Sequence, residues 1–285
     1  MTSFNRVAII GVGLLGGSMG LALKKHRLAD SICGIGRRES SLDEARRVGA
    51  VDNTTLDIAS GVKGADLVIF ATPVSRMREL ILAVAPVLEP GQLVTDVGST
   101  KTTIVAEAEA AFSSGVDFVG SHPMAGSEKR GPTSARDDLF EGSLCFVTQT
   151  DTTSLEAVER ISEMWSALGA RVRRTSPDTH DRIVAQVSHM PHLVASSLVN
   201  ELDEDMLETV GPGLADLTRI ASSDPDLWAE ISAENSALIA QSLCNLAHTL
   251  EDIAKLLEKN DIESLRNLLQ QAKIKRDNII KCIGK

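Results

Sequence analysis

The sequence predicts an α/β amino-terminal domain with a doubly wound parallel sheet, followed by an all-α carboxy-terminal domain. Short apolar runs alternate with helical patterns over residues 1–175, which is typical of parallel strands joined by helices. After Ser176-Pro177 helical periodicity takes over, and we predict no further strand over residues 176–285. A length of 285 residues suits two such cores, so we place the domain boundary at residue 175.

The composition and charge of the chain argue against a nucleic-acid-binding or membrane-spanning protein. A formal net charge of −10 argues against a nucleic-acid partner, because phosphate binding needs clustered Lys and Arg. No apolar run approaches the roughly 20 residues that cross a bilayer, and the amino terminus lacks a signal-peptide pattern. The four cysteines are far apart and form no CxxC pair, so we interpret them as reduced thiols of a cytoplasmic protein.

A glycine-rich turn follows the first predicted strand, residues 6–10. Its pattern G-x-G-x-x-G stands between a strand and an apolar helix, the context of a Rossmann-type dinucleotide site. The first glycine would allow the tight turn, the second would let a pyrophosphate approach, and the third would let the helix pack closely. Free N–H groups at the helix start would bind the phosphates. A tight turn without a nucleotide is the alternative. The predicted cofactor contacts here are Gly11, Gly13, Leu14, Leu15 and Gly16.

The second predicted strand, residues 31–35, ends at Gly36. An NAD-binding site usually has an acidic residue at this place, which binds the ribose 2′-hydroxyl. Arg37 and Arg38 follow instead, with Ser40 just beyond. The missing carboxylate and the adjacent guanidiniums favour a 2′-phosphate, so we predict NADP as the preferred cofactor and NAD as the alternative. The arginines could also stack on adenine or lie in solvent.

Further polar residues follow the remaining predicted strands of the first domain. Thr72 and Pro73 come after the strand at residues 66–70, Ser99 after 92–96 and His122 after 116–119. Because ligands of such sheets bind beyond the carboxyl ends of the strands, we expect these residues and the glycine turn to converge on one crevice. We predict helices at residues 41–48, 76–87 and 155–168, and two more strands at residues 143–148 and 171–175.

Polar groups are densest in the stretch Gly120–Gly131, which we predict to be a loop. It contains one imidazole, two hydroxyls, one carboxylate and two cations. A polar surface loop would be the ordinary explanation. The other strand-end residues nevertheless make His122 a candidate for chemistry, with Ser127 and Glu128 as candidate substrate contacts. Glu128 and the two cations beside it could gate the pocket, bind the substrate or reach a partner subunit.

The helical half contains two dense stretches, of which the first is Ser188-His189-Met190-Pro191-His192. It lies in a predicted helix over residues 180–202, which its proline would kink. His189 and His192 are three residues apart and could share one face. We predict ligand contacts for both and no metal, because no further metal ligand stands at a convincing spacing. A core histidine is the alternative for His189.

The second dense stretch places Arg219 among apolar neighbours, where a guanidinium needs an anionic partner. Asp216 could be that partner, or it could orient Arg219 toward a substrate carboxylate. Asp224-Pro225 begins the next helix as cap and first-turn proline. Trp228, one turn later, could wall the site or fill the core. Long apolar stripes over residues 238–283 predict helices buried against a second subunit, with packing inside one chain as the alternative.

These motifs occur together and in order in one known family: the chain resembles the prephenate/arogenate dehydrogenases of tyrosine biosynthesis. The resemblance covers nearly the whole length and implies a dimerisation role for the helical half. It also implies an oxidative decarboxylation, in which a 4-hydroxycyclohexadiene dicarboxylate gives hydride to the nicotinamide, loses CO2 and becomes aromatic. The motifs that carry it are the glycine turn, Asp96-Val97-Gly98-Ser99-Thr100-Lys101, Gly120–Gly126, Ser188–His192 and Thr218–Pro225.

The resemblance also implies roles for single residues. His122 would hydrogen-bond the ring 4-hydroxyl and take its proton, and Ser99 would hold that hydroxyl and His122 in register. Arg219 would bind the side-chain carboxylate, His189 would contact the substrate, and Glu128 would gate or polarise the site. The chemistry agrees, because hydride leaves a carbinol carbon readily only as the O–H proton is removed, which needs a base with a pKa near neutrality.

Two other functions compete with this one. A β-hydroxyacid dehydrogenase of the same two-domain plan would place a catalytic Lys on a helix of the second domain, but no Lys occurs between His180 and Lys255. A non-catalytic NADP sensor could lose its base, whereas His122, Ser99 and Arg219 are all present. The choice between prephenate and arogenate stays open, because no residue that we can name must distinguish the ketone from the amine.

Overall fold

The computed structural model describes residues 2–126 and 129–283. The chain divides into two compact units, residues 1–236 and 237–285. The last strand ends at Thr175, and the predicted domain boundary at that residue stays a prediction. No helix of the described ranges is both long and apolar enough to cross a bilayer.

Six parallel strands form the first sheet, which confirms the doubly wound prediction. Their order is β3-β2-β1-β4-β5-β6, so β1 and β4 lie at the centre and the chain changes direction between them. Alternate residues of β1 enter the two cores on opposite faces: Val7 and Ile9 on one face, Ala8 and Ile10 on the other. This burial on both faces explains the unbroken apolar run. The strands are β1 Phe4–Ile10, β2 Ala29–Ile35, β3 Asn53–Thr55, β4 Leu67–Phe70, β5 Leu93–Asp96 and β6 Asp117–Val119.

Helices cover both faces of this sheet. The predicted helices are confirmed with shifted ends, whereas β3 and the short helix α3 were not predicted. A three-residue polar strand and a five-residue helix are too short to show a period of two or 3.6. The helices of this part are α1 Leu14–Lys25, α2 Glu39–Arg47, α3 Ile58–Val62, α4 Val74–Val84, α5 Thr102–Ala111 and α6 Leu155–Ala167.

A second, three-stranded sheet includes part of the stretch Gly120–Gly131, which we predicted to be a loop. Residues Ser121–Pro123 form strand β7, which pairs antiparallel with β8 (Leu144–Thr148) and places His122 opposite Phe146. Strand β9 (Arg171–Thr175) pairs parallel with β8. The two strands predicted in this region are therefore confirmed, but they do not extend the first sheet. The loop prediction is wrong at Ser121–Pro123, because the backbone hydrogen bonds of β8 stabilise a segment without any strand pattern of its own.

After β9 the chain is helical, as predicted. A π-helical turn, Ala185–His189, separates the first two helices, and Pro191 lies in the first turn of the second. The helix is therefore interrupted by the π-helical turn and not by a kink at the proline. In the first turn of a helix the missing N–H of a proline costs nothing. Asp224 caps its helix as predicted, since its carboxylate accepts from Asp226 N at 3.0 Å. The helices are α7 Pro177–Val184, α8 Met190–Asn200, α9 Pro212–Thr218, α10 Pro225–Glu234, α11 Ser236–Glu258 and α12 Ile262–Ile283.

Candidate active site

The glycine turn lies where the sheet changes direction, between the carboxyl ends of β1 and β4. Gly11 has φ +96°, and a Cβ on it would lie 2.5 Å from the carbonyl oxygen of Ala71. A Cβ on Gly16 would collide with the carbonyl of Gly11, whereas one on Gly13 would meet open space. Gly13 also precedes α1 without a side-chain cap, so the first-turn N–H groups are available to an anion. The geometry fits a pyrophosphate, and the buried Thr72 hydroxyl beside it has no hydrogen-bond partner in the described structure.

The end of β2 is basic and has no carboxylate. A Cβ on Gly36 would lie 3.0 Å from the side chain of Leu42, which would have to shift by a few tenths of an ångström to admit it. Arg37, Arg38 and Ser40 are exposed around the start of α2. Neither arginine forms an ion pair with a described residue. Two guanidiniums are thus available to a ligand next to the adenosine end of a dinucleotide site.

Gly120 lets the chain pass from the first sheet to the second and so positions His122. Its carbonyl accepts a hydrogen bond from Thr148 N at 2.8 Å. A Cβ on Gly120 would lie 2.5 Å from Thr148 Oγ1 and 3.0 Å from the Lys101 side chain, so only glycine fits. His122 follows two residues after this crossing, beyond the carboxyl end of β6, as predicted.

The His122 imidazole is buried and anchored to a second histidine. Its Nδ1 lies 2.9 Å from Nε2 of His180, and Nδ1 of His180 lies 2.7 Å from Oδ1 of Asp181. Burial first, and then the neighbouring His180 and Lys101, hold the pKa of His122 well below its ordinary value of 6.5. This pKa is lower than the near-neutral value we expected from the chemistry, because the ring is almost fully withdrawn from water. At neutral pH the His122 imidazole is therefore uncharged.

Hydrogen bonds connect the turn that contains Ser99 to strand β7 and to helix α7. Lys101 and Asp96 form a fully buried ion pair, and Asp96 also accepts a hydrogen bond from Ser121 N at 3.0 Å. The backbone N–H of Lys101 donates to Asp181 at 2.8 Å. Ser99 itself is half-buried, and its hydroxyl has no hydrogen bond to a described residue. The network positions the turn and leaves the Ser99 hydroxyl to a ligand.

Two further histidines meet at Trp228. The indole stacks on His192 with ring centroids 3.6 Å apart, and it meets His189 edge-on at 6.1 Å. Both imidazoles are buried, whereas Trp228 is half-exposed. Burial lowers the pKa of His189 to about 4, and Asn235 Nδ2 lies 3.3 Å from its Nδ1. His189 and His192 thus share one side of the helical segment, as their spacing predicts, and Trp228 contacts both of them.

Arg219 differs from the sequence-based expectation. It is exposed, and it forms no ion pair with Asp216 or with any other described residue. Asp216 is therefore not its ion-pair partner, and the alternative expectation, a contact with a substrate carboxylate, stays a prediction. Arg219 begins a short 3₁₀ turn that packs against α8, the helix of His192. Arg130 pairs with Asp224 at the start of α10. The predicted contacts Ser127 and Glu128 lie outside the described residues.

Sequence reasoning missed His180, Asp181 and Asn235. The first two read as ordinary polar residues in the first turns of a helix, and Asn235 reads as a helix end. No spacing signal links them to His122, which is 58 residues from His180 in sequence. Their buried hydrogen bonds form because the fold brings α7 next to β7 and the end of α10 next to α7.

Comparison with known proteins agrees with this geometry. The family model described as "Prephenate dehydrogenase, nucleotide-binding domain" matches residues 19–174, and "Prephenate dehydrogenase, dimerization domain" matches residues 176–271. The prephenate dehydrogenase of Bacillus subtilis (strain 168) is 35% identical over 280 residues, which are 96% of this chain and 76% of that protein.

Two solved structures are similar over nearly the whole chain. The prephenate dehydrogenase from A. aeolicus, in complex with hydroxyphenyl propionate and NAD+, has a TM-score of 0.90 and 31% identity, covering 97% of this chain and 99% of that one. Synechocystis arogenate dehydrogenase has a TM-score of 0.84 and 27% identity, covering 96% and 99%. The chain therefore belongs to the prephenate dehydrogenase family.

Proposed function

We propose that His122 is the proton acceptor in an oxidative decarboxylation of prephenate or arogenate, and that NAD(P)+ accepts the hydride. Membership of the family makes the chain an NAD(P)-dependent oxidoreductase. The observation that supports the proposal for His122 is its place: a buried, uncharged imidazole, held by His180, beyond the carboxyl end of a strand in the nucleotide-binding sheet.

The reaction needs one base, which first accepts the hydroxyl proton of the substrate and later returns it to the product. When bound, the nicotinamide supplies the hydride acceptor. His122 takes the proton of the ring 4-hydroxyl while the C–H bond of the same carbon breaks and its hydride leaves to that acceptor, so that the carbon becomes a carbonyl carbon. The bond to the ring carboxylate then breaks, CO2 leaves, and the electron pair completes the aromatic ring. The resulting phenolate oxygen recovers the proton from His122. The products are 4-hydroxyphenylpyruvate from prephenate or tyrosine from arogenate.

Other side chains are assigned by their chemistry. Arg219 binds the side-chain carboxylate of the substrate, since its guanidinium is exposed, unpaired with any described residue, and carried by a turn against α8. Ser99 holds the 4-hydroxyl, and His189, His192 and Trp228 line the substrate pocket. The contacts by Ser127 and Glu128 stay proposals that rest on the family resemblance.

The cofactor is NADP in preference to NAD. Arg37 and Arg38 are exposed and unpaired within the described structure, and Gly36 leaves no carboxylate for a ribose 2′-hydroxyl. The pyrophosphate contacts are the glycine turn with the first N–H groups of α1, and Thr72-Pro73 at the end of β4. The A. aeolicus relative was solved with NAD+, so both cofactors belong in any assay.

The functional unit is a homodimer that forms through the carboxy-terminal helices. Large apolar side chains are exposed along α11 and α12, where solvent would not stabilise them. The family model over residues 176–271 is that of a dimerisation domain. We also propose a domain boundary at residue 175 and a cytoplasmic location, the latter because Cys33, Cys145 and Cys244 are free thiols.

His122→Asn tests the central proposal. We expect kcat to fall by about 10²-fold or more with nucleotide affinity unchanged, the usual consequence of removing an acid–base group. His248→Asn, at an exposed position of α11, is the matched control and should keep wild-type kcat. A near-normal kcat for His122→Asn would exclude His122 as the base. The wild-type enzyme, assayed with prephenate or arogenate against NAD+ or NADP+, decides the substrate and the cofactor.

A further inference from the structure

We propose that Asp181 and His180 are positioning residues that hold His122 in the tautomer protonated at Nδ1, while Asn235 holds His189 in the tautomer protonated at Nε2. The Nε2 atom of His122 is then a proton acceptor, and the Nε2–H group of His189 is a donor. The proposal rests on the proposed role of His122, but its main test does not depend on activity.

The assignment begins at Asp181, which is an acceptor only. Its Oδ1 accepts from Lys101 N and its Oδ2 from Thr102 N, each at 2.8 Å, at the start of α5. The positive end of a helix dipole favours the ionised carboxylate. Burial pushes the pKa of Asp181 upward, but hydrogen bonds from His180 and Thr102 lower it overall. An ionised carboxylate has no proton to donate.

The hydrogen bond of His180 to Asp181 determines which atom donates and which accepts between His180 and His122. Its Nδ1, 2.7 Å from Asp181 Oδ1, must carry a proton. Burial lowers the pKa of His180, so the ring is neutral and its Nε2 has a free lone pair. That Nε2 lies 2.9 Å from His122 Nδ1, which must therefore donate. A neutral His122 that is protonated at Nδ1 has a bare Nε2.

Asn235 determines the tautomer of His189, and this tautomer is the opposite of that of His122. Its Nδ2 donates to the backbone carbonyl of Asp181 at 2.9 Å, and since a carbonyl only accepts, this contact determines which way the amide points. The second N–H of the same Nδ2 faces His189 Nδ1 at 3.3 Å. His189 accepts there and carries its proton on Nε2. The carboxylate and the backbone carbonyl of Asp181 thus determine the tautomers of both imidazoles, His122 and His189.

The arrangement has a consequence for proton transfer. When His122 takes the substrate proton, its Nδ1–H continues to donate to His180, which is backed by an ionised Asp181. The new positive charge is therefore stabilised without any rearrangement, the role that a buried carboxylate has behind a catalytic histidine.

Nitrogen NMR of the protein labelled with ¹⁵N-histidine tests the tautomers directly. The chain has six histidines, so each signal is assigned by a single substitution. We expect a protonated Nδ1 and a bare Nε2 in His122 and His180, and a bare Nδ1 in His189. A proton on Nε2 of His122 overturns the assignment through His180, and a proton on Nδ1 of His189 overturns the assignment through Asn235.

Asp181→Asn tests the consequence for catalysis. The amide removes the negative charge behind His180, and with its nitrogen facing His180 it reverses that hydrogen bond, so that His122 becomes protonated at Nε2. We expect kcat to fall by at least about 10²-fold with nucleotide affinity kept, as for wrong-tautomer variants elsewhere. Asp178→Asn is the control, because Asp178 accepts from Thr102 Oγ1 at 3.2 Å but does not contact His180.

A folded Asp181→Asn enzyme with kcat within about threefold of wild type contradicts the proposal. If this variant does not fold, the NMR of the wild-type protein still decides, since it requires no change at Asp181. Failure of this inference is distinct from failure of the proposed function: the first shows as a wrong tautomer, and the second as an active His122→Asn enzyme.

Discussion

Replacing His189 with glutamine should remove the part of the acid sensitivity of the fold that this histidine contributes. His189 is 1% exposed, and burial lowers its pKa from 6.5 to about 4, with Asp181 opposing this shift and His180 adding to it. Glutamine is close to histidine in size and does not titrate. Its carbonyl oxygen can also accept the hydrogen bond that Asn235 donates to the imidazole.

The magnitude follows from the pKa difference between the two states. The folded protein resists protonation of His189, whereas the unfolded chain takes up a proton as the pH falls through 6.5. The stability is therefore fully present above pH 6.5 and is lost as the pH falls toward 4. Each pH unit in this window costs about 1.4 kcal/mol, so about 2 kcal/mol is lost by pH 5 and about 3 kcal/mol in full.

Urea unfolding at pH 7 and pH 5, at one protein concentration, measures this loss. Wild type should lose about 2 kcal/mol more between the two pH values than His189→Gln does. His248→Gln removes an exposed histidine of α11 and should behave as wild type. Equal losses in wild type and His189→Gln would refute the reasoning, because a buried neutral histidine would then contribute nothing to acid unfolding.

Two further predictions concern ligand binding. For Arg219→Ala we expect KM of the substrate to rise by about 10- to 100-fold with kcat largely kept, as for loss of one charge-assisted hydrogen bond; Asp216→Ala is the control, and an unchanged KM would assign the carboxylate to another residue. For the double variant Arg37→Ser/Arg38→Ser we expect KM of NADP+ to rise about tenfold more than KM of NAD+. Arg47→Ser, at the exposed end of α2, should leave both constants unchanged, and an equal rise for the two cofactors in the double variant would argue against a 2′-phosphate contact.

The features predicted correctly are those that leave a local pattern in the sequence. The run before Gly11 is apolar because β1 is buried on both faces, and the turn is glycine-rich because Ala71 and the helix approach it closely. Asp224-Pro225 begins α10 because a cap and a first-turn proline need only their nearest neighbours. The pattern that each cause leaves in the sequence extends over only a few residues, so it is complete within the window that shows it.

The features that were missed or wrong have distant causes. Strand β7 exists because β8 pairs with it, and nothing in Ser121–Pro123 indicates that partner. The fold leaves the Arg219 side chain exposed and does not pair it with Asp216, one of the two partners that its apolar sequence neighbours suggested. The helix break was placed at Pro191, whereas the structure has a π-helical turn just before it, and that turn carries His189.

The sequence by itself determined the class of fold, the dinucleotide site and the family, because periodicity, glycine spacing and motif order are properties of the chain. It also singled out His122. Only the tertiary structure decided the burial, the hydrogen-bond partner and the charge of its imidazole. The buried chain from Asp181 through His180 brings together β7, the start of α5 and α7, and Asn235 adds the end of α10. The pKa and tautomer of an imidazole depend on burial and on hydrogen-bond partners, and these exist only once distant segments have packed together.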